Sequence, residues 1–368
     1  MRHGYTTGSC SAAAAKAAAY MLLTGREKNS ISITTPSGLI YDAEIVNINL
    51  NSDYCECAVI KDGGDDPDVT TGAHVTAHVS VTGGGSEGPL TITVDGGKGV
   101  GRVTKPGLDQ KIGSAAINHV PREMIESEVR EVFKLFDVSG EVKVVISVPE
   151  GEALAAKTFN PRLGIEDGIS ILGTSGIVEP MSSKAILDTI DVELNQLRAL
   201  GFTRVVVSPG NYGMDYMKNT FDYDLDKAVK CSNFIGDTIN MAAGKGFKEF
   251  LLVGHIGKLV KISGGIMNTH SKYADCRMEL IAAAAIKCGV SQDKLSAILD
   301  CISTEEAVRI LNTEAKTDEV MGVIMERISH NLKKPAGSMK IECIMYSSEF
   351  GTLGASDNAL SWIKEKVE

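Results

Sequence analysis

One stretch limits what this chain can fold into: residues 250–288, FLLVGHIGKLVKISGGIMNTHSKYADCRMELIAAAAIKC. A short apolar run at 250–253 stops at Gly254 and His255. Two helix-like segments follow, separated by Gly264 and Gly265 and by a polar loop carrying Asn268, Thr269, His270 and Ser271. Strand, glycine, polar turn, helix is how open α/β sheets build a site at the carboxyl ends of their strands. The surrounding pattern agrees. A helix expected over 183–200 leads through Gly201 to a strand at 204–208, and PGNYGMD reads as the loop beyond it. A short strand near 227–231, a helix ending near Gly246, strands at 249–253 and 340–346 and a helix at 274–288 complete the alternation. It predicts an α/β domain with a largely parallel sheet.

The first half has another rhythm. Residues 3–25, HGYTTGSCSAAAAKAAAYMLLTG, predict an alanine-rich helix entered through Thr6, Thr7, Gly8 and Ser9 and ending near Gly25. Alanine favours helix and lets another backbone approach closely. The free N–H groups of its first turn can hold a carboxylate or phosphate, although a capped structural helix explains the same residues. Residues 30–35, 40–50 and 54–61 read as strands of a mixed or antiparallel sheet, glycines 83–85 as a turn, 123–136 as a helix and 142–148 as a strand. Turn residues crowd 149–180, which reads as a junction. The expected division is an α+β domain over 1–170 and an α/β domain over 171–368.

Composition excludes several classes. Lys and Arg total 37 against 47 Asp and Glu, a formal charge of -10, which argues against a general nucleic-acid surface. No apolar run reaches the ~18 residues that span a bilayer, and the N-terminus lacks the basic leader and processing site of a signal peptide. The chain reads as a cytoplasmic protein with no membrane partner. Eight cysteines in 368 residues are too sparse for a disulfide scaffold. Cys55 and Cys57 have no second pair to complete a zinc site and read as buried thiols. Asp62, Asp65, Asp66 and Asp68 crowd a Gly-Gly and a proline; such a cluster can bind a cation or cap the chain through Asx turns, and it lacks calcium-loop spacing. His74 and His78 share a face if their segment is a strand, a weak ligand signal.

Two strand-end segments carry the chemistry. One holds Gly210, Asn211, Gly213 and Asp215; the other holds Gly254, His255, Gly257 and Lys258. Glycines permit backbone contacts, Asn211 can donate and accept, and Asp215 can bind ribose hydroxyls or cap a turn. Neither segment contains G-x-G-x-x-G, so a nucleotide-like site, another enzyme pocket and plain structural turns all stay open. His255 and His270 sit beside glycines and polar residues and are the acid/base candidates, with loop positioning as the alternative. Lys258, Lys261, Lys272 and Arg277 can meet carboxylates, or are exposed helix charges. Glycines 96, 97, 99 and 101 precede Arg102, with Lys105 and Lys111 beyond; they can cradle an acidic ligand but do not form a P-loop.

At this point the chain resembles a known family. GYTTGSCSAAAAKAA at 4–18, DGGDDPDVTTG at 62–72 and KPGLDQKIGSAAINHVPREM at 105–124 carry the likeness in the first half. GTSGIVEPMS, SPGNYG, NFIGD and the long block LLVGHIGKLVKISGGIMNTHSKYADCRMELIAA carry it in the second. Together they are similar to the CbiD family, cobalt-precorrin-5B C1-methyltransferases of anaerobic cobalamin biosynthesis. DQKIGSAAINHVP departs from the family pattern, which leaves Gln110 and His119 without an assigned role. The resemblance implies a first domain related to the second domain of ribosomal protein S5, then an α/β domain. It implies S-adenosylmethionine as methyl donor and a cobalt-containing tetrapyrrole as substrate, the cobalt arriving within the substrate, so that no protein metal site is needed. On that reading Gly210, Asn211, Gly213, Asp215, Gly254 and Gly257 face the donor, and His255 and His270 face the reacting centre. Thr6, Thr7, Ser9, Arg102, Lys105, Lys258, Lys261, Lys272 and Arg277 meet the macrocycle's carboxylates. A homo-oligomer is compatible with it.

Overall fold

The computed structural model describes residues 2–82, 89–158, 160–179 and 183–365. The turn expected at glycines 83–85 lies outside the described residues. The chain forms two compact units, residues 1–182 and 183–368. This division falls later than 170 for a physical reason. Gly4–Tyr5 pairs antiparallel with Ile177–Val178, and the Thr6 amide donates to Gly176 O at 3.2 Å. The junction segment is thereby stitched to the start of the chain.

The first unit is built on helix α1 (Thr7–Thr24). The Thr6 hydroxyl accepts from Ser9 N–H at its start, and Gly25, at φ 64°, closes it in the left-handed region. Next come a hairpin of β1 (Ser30–Thr34) and β2 (Ile40–Glu44), then β3 (Val46–Leu50), β4 (Tyr54–Ile60), β5 (His74–Thr82) and β6 (Thr91–Gly96). Helix α2 (His119–Leu135) and β7 (Glu141–Ser147) complete it, giving a five-stranded sheet in the order β3-β4-β5-β7-β6. All pairs are antiparallel except β7–β6. Seven alanines of α1, from Ala12 to Ala19, are fully buried, because the helix packs against β4 and β5 as well as against α2. The short side chains bring backbones close enough for the Cys57 thiol to donate to Ala14 O at 3.3 Å. Cys55 and Cys57 are buried free thiols.

The second unit alternates. Helix α3 (Ser183–Ala199) precedes β8 (Arg204–Ser208), α4 (Asn211–Phe221), β9 (Ala228–Lys230), α5 (Ile235–Gly244), β10 (Glu249–His255) and α6 (Ile256–Ser263). Helices α7 (Arg277–Lys287), α8 (Gln292–Leu299), α9 (Thr304–Thr313) and α10 (Thr317–Ala336) lead to β11 (Lys340–Ser347), β12 (Gly351–Ala355) and α11 (Ala359–Lys364). The sheet order is β9-β8-β10-β11-β12; β12 is antiparallel to β11 and the other three pairings are parallel. Alternate residues feed two cores, as a sheet covered on both faces requires. Val205, Val207, Phe250, Leu252 and Met345 join Ile190, Leu194 and Ile239 on one face. Val206, Leu251, Val253 and Tyr346 join Met214, Met217 and Trp362 on the other. PGNYGMD is not the long loop expected: Asn211 already begins α4, leaving Pro209 and Gly210 as the connection.

The alanine packing of α1 gives a direct test. Ala15→Leu inserts three carbons where no space exists and should cost ~1–3 kcal/mol, read as a lower urea midpoint with an unchanged slope; an unchanged midpoint would refute this account of the helix.

Candidate active site

The carboxyl edge of the second sheet brings together the ends of β9, β8, β10 and β11. His255 is the N-cap of α6, and its Nδ1 accepts from Gly257 N–H at 3.0 Å. That lone pair fixes the proton on Nε2, which donates to Glu305 Oε1 at 2.9 Å. Glu305, in the first turn of α9, also accepts from the Ser347 hydroxyl at 2.5 Å and from Ser348 N–H at 3.1 Å. One carboxylate therefore ties the end of β10 to the end of β11. The residue paired with His255 across the strands is Tyr346, whose ring stands edge-on to the imidazole, with centroids 5.4 Å apart.

Lysines expected to bind substrate brace this edge instead. The Lys258 ammonium donates to Pro209 O at 3.1 Å and Ser232 O at 3.4 Å, the chain just beyond β8 and β9. Burial lowers its pKa and pushes the neighbouring Cys231 thiol up to about 12. Lys261 is 4% exposed, and its ammonium donates to Thr269 O and Ala274 O at 3.2 and 2.9 Å. Thr269 in turn binds Asn233 through both its amide and its hydroxyl, at 3.0 and 3.1 Å. Arg277 is held in a two-pronged pair by Asp275, and Lys272 lies over the Tyr273 ring. His270 is exposed on this braced loop. Its Nδ1 accepts from Lys272 N–H at 3.1 Å, so its free Nε2 carries the hydrogen and faces outward as a donor. In this arrangement each Nδ1 lone pair is taken by a backbone amide, so both imidazoles present N–H donors.

The glycines divide likewise. A Cβ on Gly213 would sit 1.9 Å from Ser208 Oγ, and one on Gly254 would meet the Leu259 side chain at 2.9 Å. Both are used by the protein's own helix–strand contacts. A Cβ on Gly257 would touch His255 Nδ1 at 3.2 Å, whereas Gly210 faces open space. Asn211 is exposed and accepts from the Lys230 ammonium at 3.1 Å. Asp215, exposed on α4, has no hydrogen-bond or ion-pair partner among the described residues. Beside the first turn of α5, a shallow cleft of about 510 Å³ is lined by Asp237, Asn240, Met267, Asn268 and Lys334.

In the first unit the expected anion site at the start of α1 is already filled. Thr6, Thr7 and Ser9 are buried; Gly8 N–H donates to Leu172 O at 3.1 Å, the Ser9 hydroxyl to Gly176 O at 2.6 Å, and Thr7 Oγ1 accepts from Leu172 N–H at 2.9 Å. In this structure the chain's own carbonyls occupy these donors. Arg102 binds Asp95 and Gly96 O, and Lys105 binds Arg162 O. The acidic cluster is equally occupied. Asp62 pairs with Arg2, and Asp68 receives the Lys61 ammonium at 2.5 Å and the Thr70 amide and hydroxyl at 2.8 and 2.6 Å. His74 and His78 each lie beside a glutamate, Glu150 and Glu56.

Comparison with known proteins decides the family. The CbiD family model matches residues 1–180, and the model of the CbiD C-terminal domain matches 268–357. A cobalt-precorrin-5B C(1)-methyltransferase of Ruminiclostridium cellulolyticum is 46% identical over 94% of this chain and 89% of its own length. Those of Thermoanaerobacter sp. and Clostridioides difficile are 43% and 38% identical, over 98% and 97% of this chain and 97% and 95% of their own. The chain belongs to the CbiD family. A solved CbiD structure, a cobalamin biosynthesis protein of Archaeoglobus fulgidus, is 27% identical over 78% of this chain and 84% of its own, with a TM-score of 0.38. Within this CbiD chain, sequence reasoning missed Glu305 and Tyr346. Glu305 lies in a helix fifty residues beyond His255, and Tyr346 reads as one more apolar residue of a strand. Strand pairing brings Tyr346 to the site, and hydrogen bonds to His255, Ser347 and Ser348 bring Glu305.

The Lys61–Asp68 pair yields a pH prediction. Burial raises the Asp68 pKa, but hydrogen bonds from Lys61 and Thr70 outweigh it and hold the carboxyl below its usual value. A depressed carboxylate stabilises the fold above its unfolded pKa and loses that contribution as pH falls through the folded one. Asp68→Asn leaves the Lys61 ammonium, 2% exposed, without its counter-charge, a loss of about 3 kcal/mol at pH 7. In urea titrations the gap to the wild type should close as pH drops below about 3.8; a gap independent of pH would refute the assignment.

Proposed function

We propose that this chain transfers the methyl group of S-adenosylmethionine to C1 of cobalt-precorrin-5B, forming cobalt-precorrin-6A, as a cytoplasmic enzyme of anaerobic cobalamin biosynthesis. The observation that carries this reading is 38–46% identity, over nearly full length, to three relatives bearing the name of that activity. Donor binding falls to the second unit, where Gly210 and Asn211 lie beyond β8 and Gly257 beyond β10. The first unit, with its α+β sheet, is the counterpart of the second domain of ribosomal protein S5 and carries substrate-binding and structural roles.

The donor supplies an electrophilic methyl group, and the protein's work is alignment. His255, held at both nitrogens, fixes the edge against which the donor lies. His270 and Lys272, exposed on the loop braced by Lys261, present donors suited to the macrocycle's peripheral carboxylates. Arg102, Lys105 and Arg277 reach such carboxylates only by sharing or exchanging their present partners.

The decisive experiment is anaerobic incubation with cobalt-precorrin-5B and methyl-labelled S-adenosylmethionine, followed by product mass and position-specific label. One label at C1 is expected. Hydride transfer without methylation would mark an oxidoreductase, and tight substrate binding without turnover a carrier. The donor role of His270 separates from a base role by kinetics. His270→Ala should raise the KM for the macrocycle about tenfold, a lost charge-assisted hydrogen bond, with kcat within about twofold. A fall in kcat in the ~10²–10⁴ range of general-base catalysis would restore the base assignment.

A further inference from the structure

The carboxyl edge of the second sheet is electrically lopsided. Lys230 and Lys258 stand on the β9–β8 side. On the β10–β11 side stand Glu305 and Asp215. Glu305 takes its hydrogen bonds from His255, Ser347 and Ser348, with His255 in the neutral form its Nδ1 bond requires. Among the described residues no Lys or Arg forms an ion pair with either carboxylate, although the Arg309 guanidinium, paired with Glu349, lies within electrostatic reach of Glu305. Between them lies an aromatic pair. Tyr216 stacks on Tyr346 with centroids 4.0 Å apart and planes 5° from parallel, and the Tyr216 hydroxyl bonds Thr352 Oγ1 at 2.5 Å.

Tyr346 supplies the second, independent observation. The residue is 3% exposed, yet its buried hydroxyl has no hydrogen-bond partner. A buried orphan hydroxyl costs ~1–3 kcal/mol, so this one gains from any partner that reaches it. Burial pushes the phenol up, and the proximity of Tyr216 and of the Asp215 carboxylate adds to it. The hydroxyl thus lies within the electrostatic reach of Asp215.

We propose that the corner formed by Asp215, Tyr216, Tyr346, His255 and Glu305 receives the cationic sulfonium centre of the methyl donor. The inference rests on the donor assignment above. Aromatic rings and carboxylates attract a soft, weakly hydrated cation. The phenol oxygen offers lone pairs to the polarised C–H bonds of the sulfonium methyl. A neutral thioether, the donor's form after methyl transfer, gains none of this attraction, so the corner also favours release of the spent donor. On this reading Asp215 acts on charge, not on the ribose.

The test is the ratio of affinities for S-adenosylmethionine and S-adenosylhomocysteine, measured by calorimetry on the full chain at low and at high salt. The wild type should prefer the sulfonium. Glu305→Gln keeps an acceptor for His255 and removes the charge; the preference should fall about tenfold, corresponding to one lost charge interaction. Asp215→Asn alters an exposed side chain that bonds nothing and keeps the test alive if the first variant does not fold; it should lower the preference about threefold. Tyr346→Phe should lower sulfonium affinity and leave thioether affinity unchanged. Binding of both ligands with a ratio that neither carboxylate variant moves would overturn this inference and leave the methyltransferase reading standing. Binding of neither ligand by the folded wild type would overturn both.

Discussion

Two ammonium groups inside the second unit hold its working edge together. Lys258 and Lys261 lie three residues apart on α6, and each donates to two main-chain carbonyls of other segments. Strand ends are where backbone carbonyls run out of ladder partners, and a buried carbonyl without a donor is costly. A lysine reaches several such carbonyls with one rotatable group and spreads its charge over their dipoles. The cost is visible in the lowered pKa of Lys258, caused by burial. What is gained is a fixed relation between the chain beyond β8 and β9 and the loop that carries His270. Without it, Gly210, Asn211 and His270 would stand on independent loops.

The same economy runs through the first unit, in a different currency of contact. There the approach of α1 to its sheet is set by alanine, so that backbone meets thiol and carbonyl directly. Its first turn, which would otherwise attract an anion, is closed by carbonyls at 172 and 176. Each unit therefore satisfies its exposed polar backbone from within, one with lysines and one with its own junction segment.

Much of this fold was legible from periodicity. The strands at 204–208 and 340–346 and the helix from 183 follow from runs of β-branched residues and from amphipathic spacing. The division at 170 was misplaced because turn-rich residues 171–179 look like a linker, and nothing local reveals that Gly176 O accepts from Thr6. The site was less legible. Thr6, Ser9, Arg102, Lys105, Lys258 and Lys261 have the chemistry to bind carboxylates, but every one spends it on the chain itself. Sequence shows what a side chain can bond; partners elsewhere in the chain decide what it does bond. The Glu305 carboxylate illustrates the converse: it lies in a helix that no strand-end motif announces, yet it is bonded to two strand ends.

Methyl transfer places a particular demand on such an edge. The donor brings its own leaving group and its own positive charge, so the protein has little covalent work to do. A base with a free lone pair beside an electrophilic methyl would itself be a competing nucleophile. His255 has none to offer: one nitrogen caps α6 and the other carries the hydrogen that Glu305 holds. His270 shows the same tautomer for the same reason, a backbone amide two residues on. Both histidines present donors beside segments braced by buried lysines, His255 at a strand end and His270 on the loop beyond α6. Alignment of donor and acceptor within a preorganised frame can supply on the order of 7–11 kcal/mol of a barrier without any bond to the enzyme.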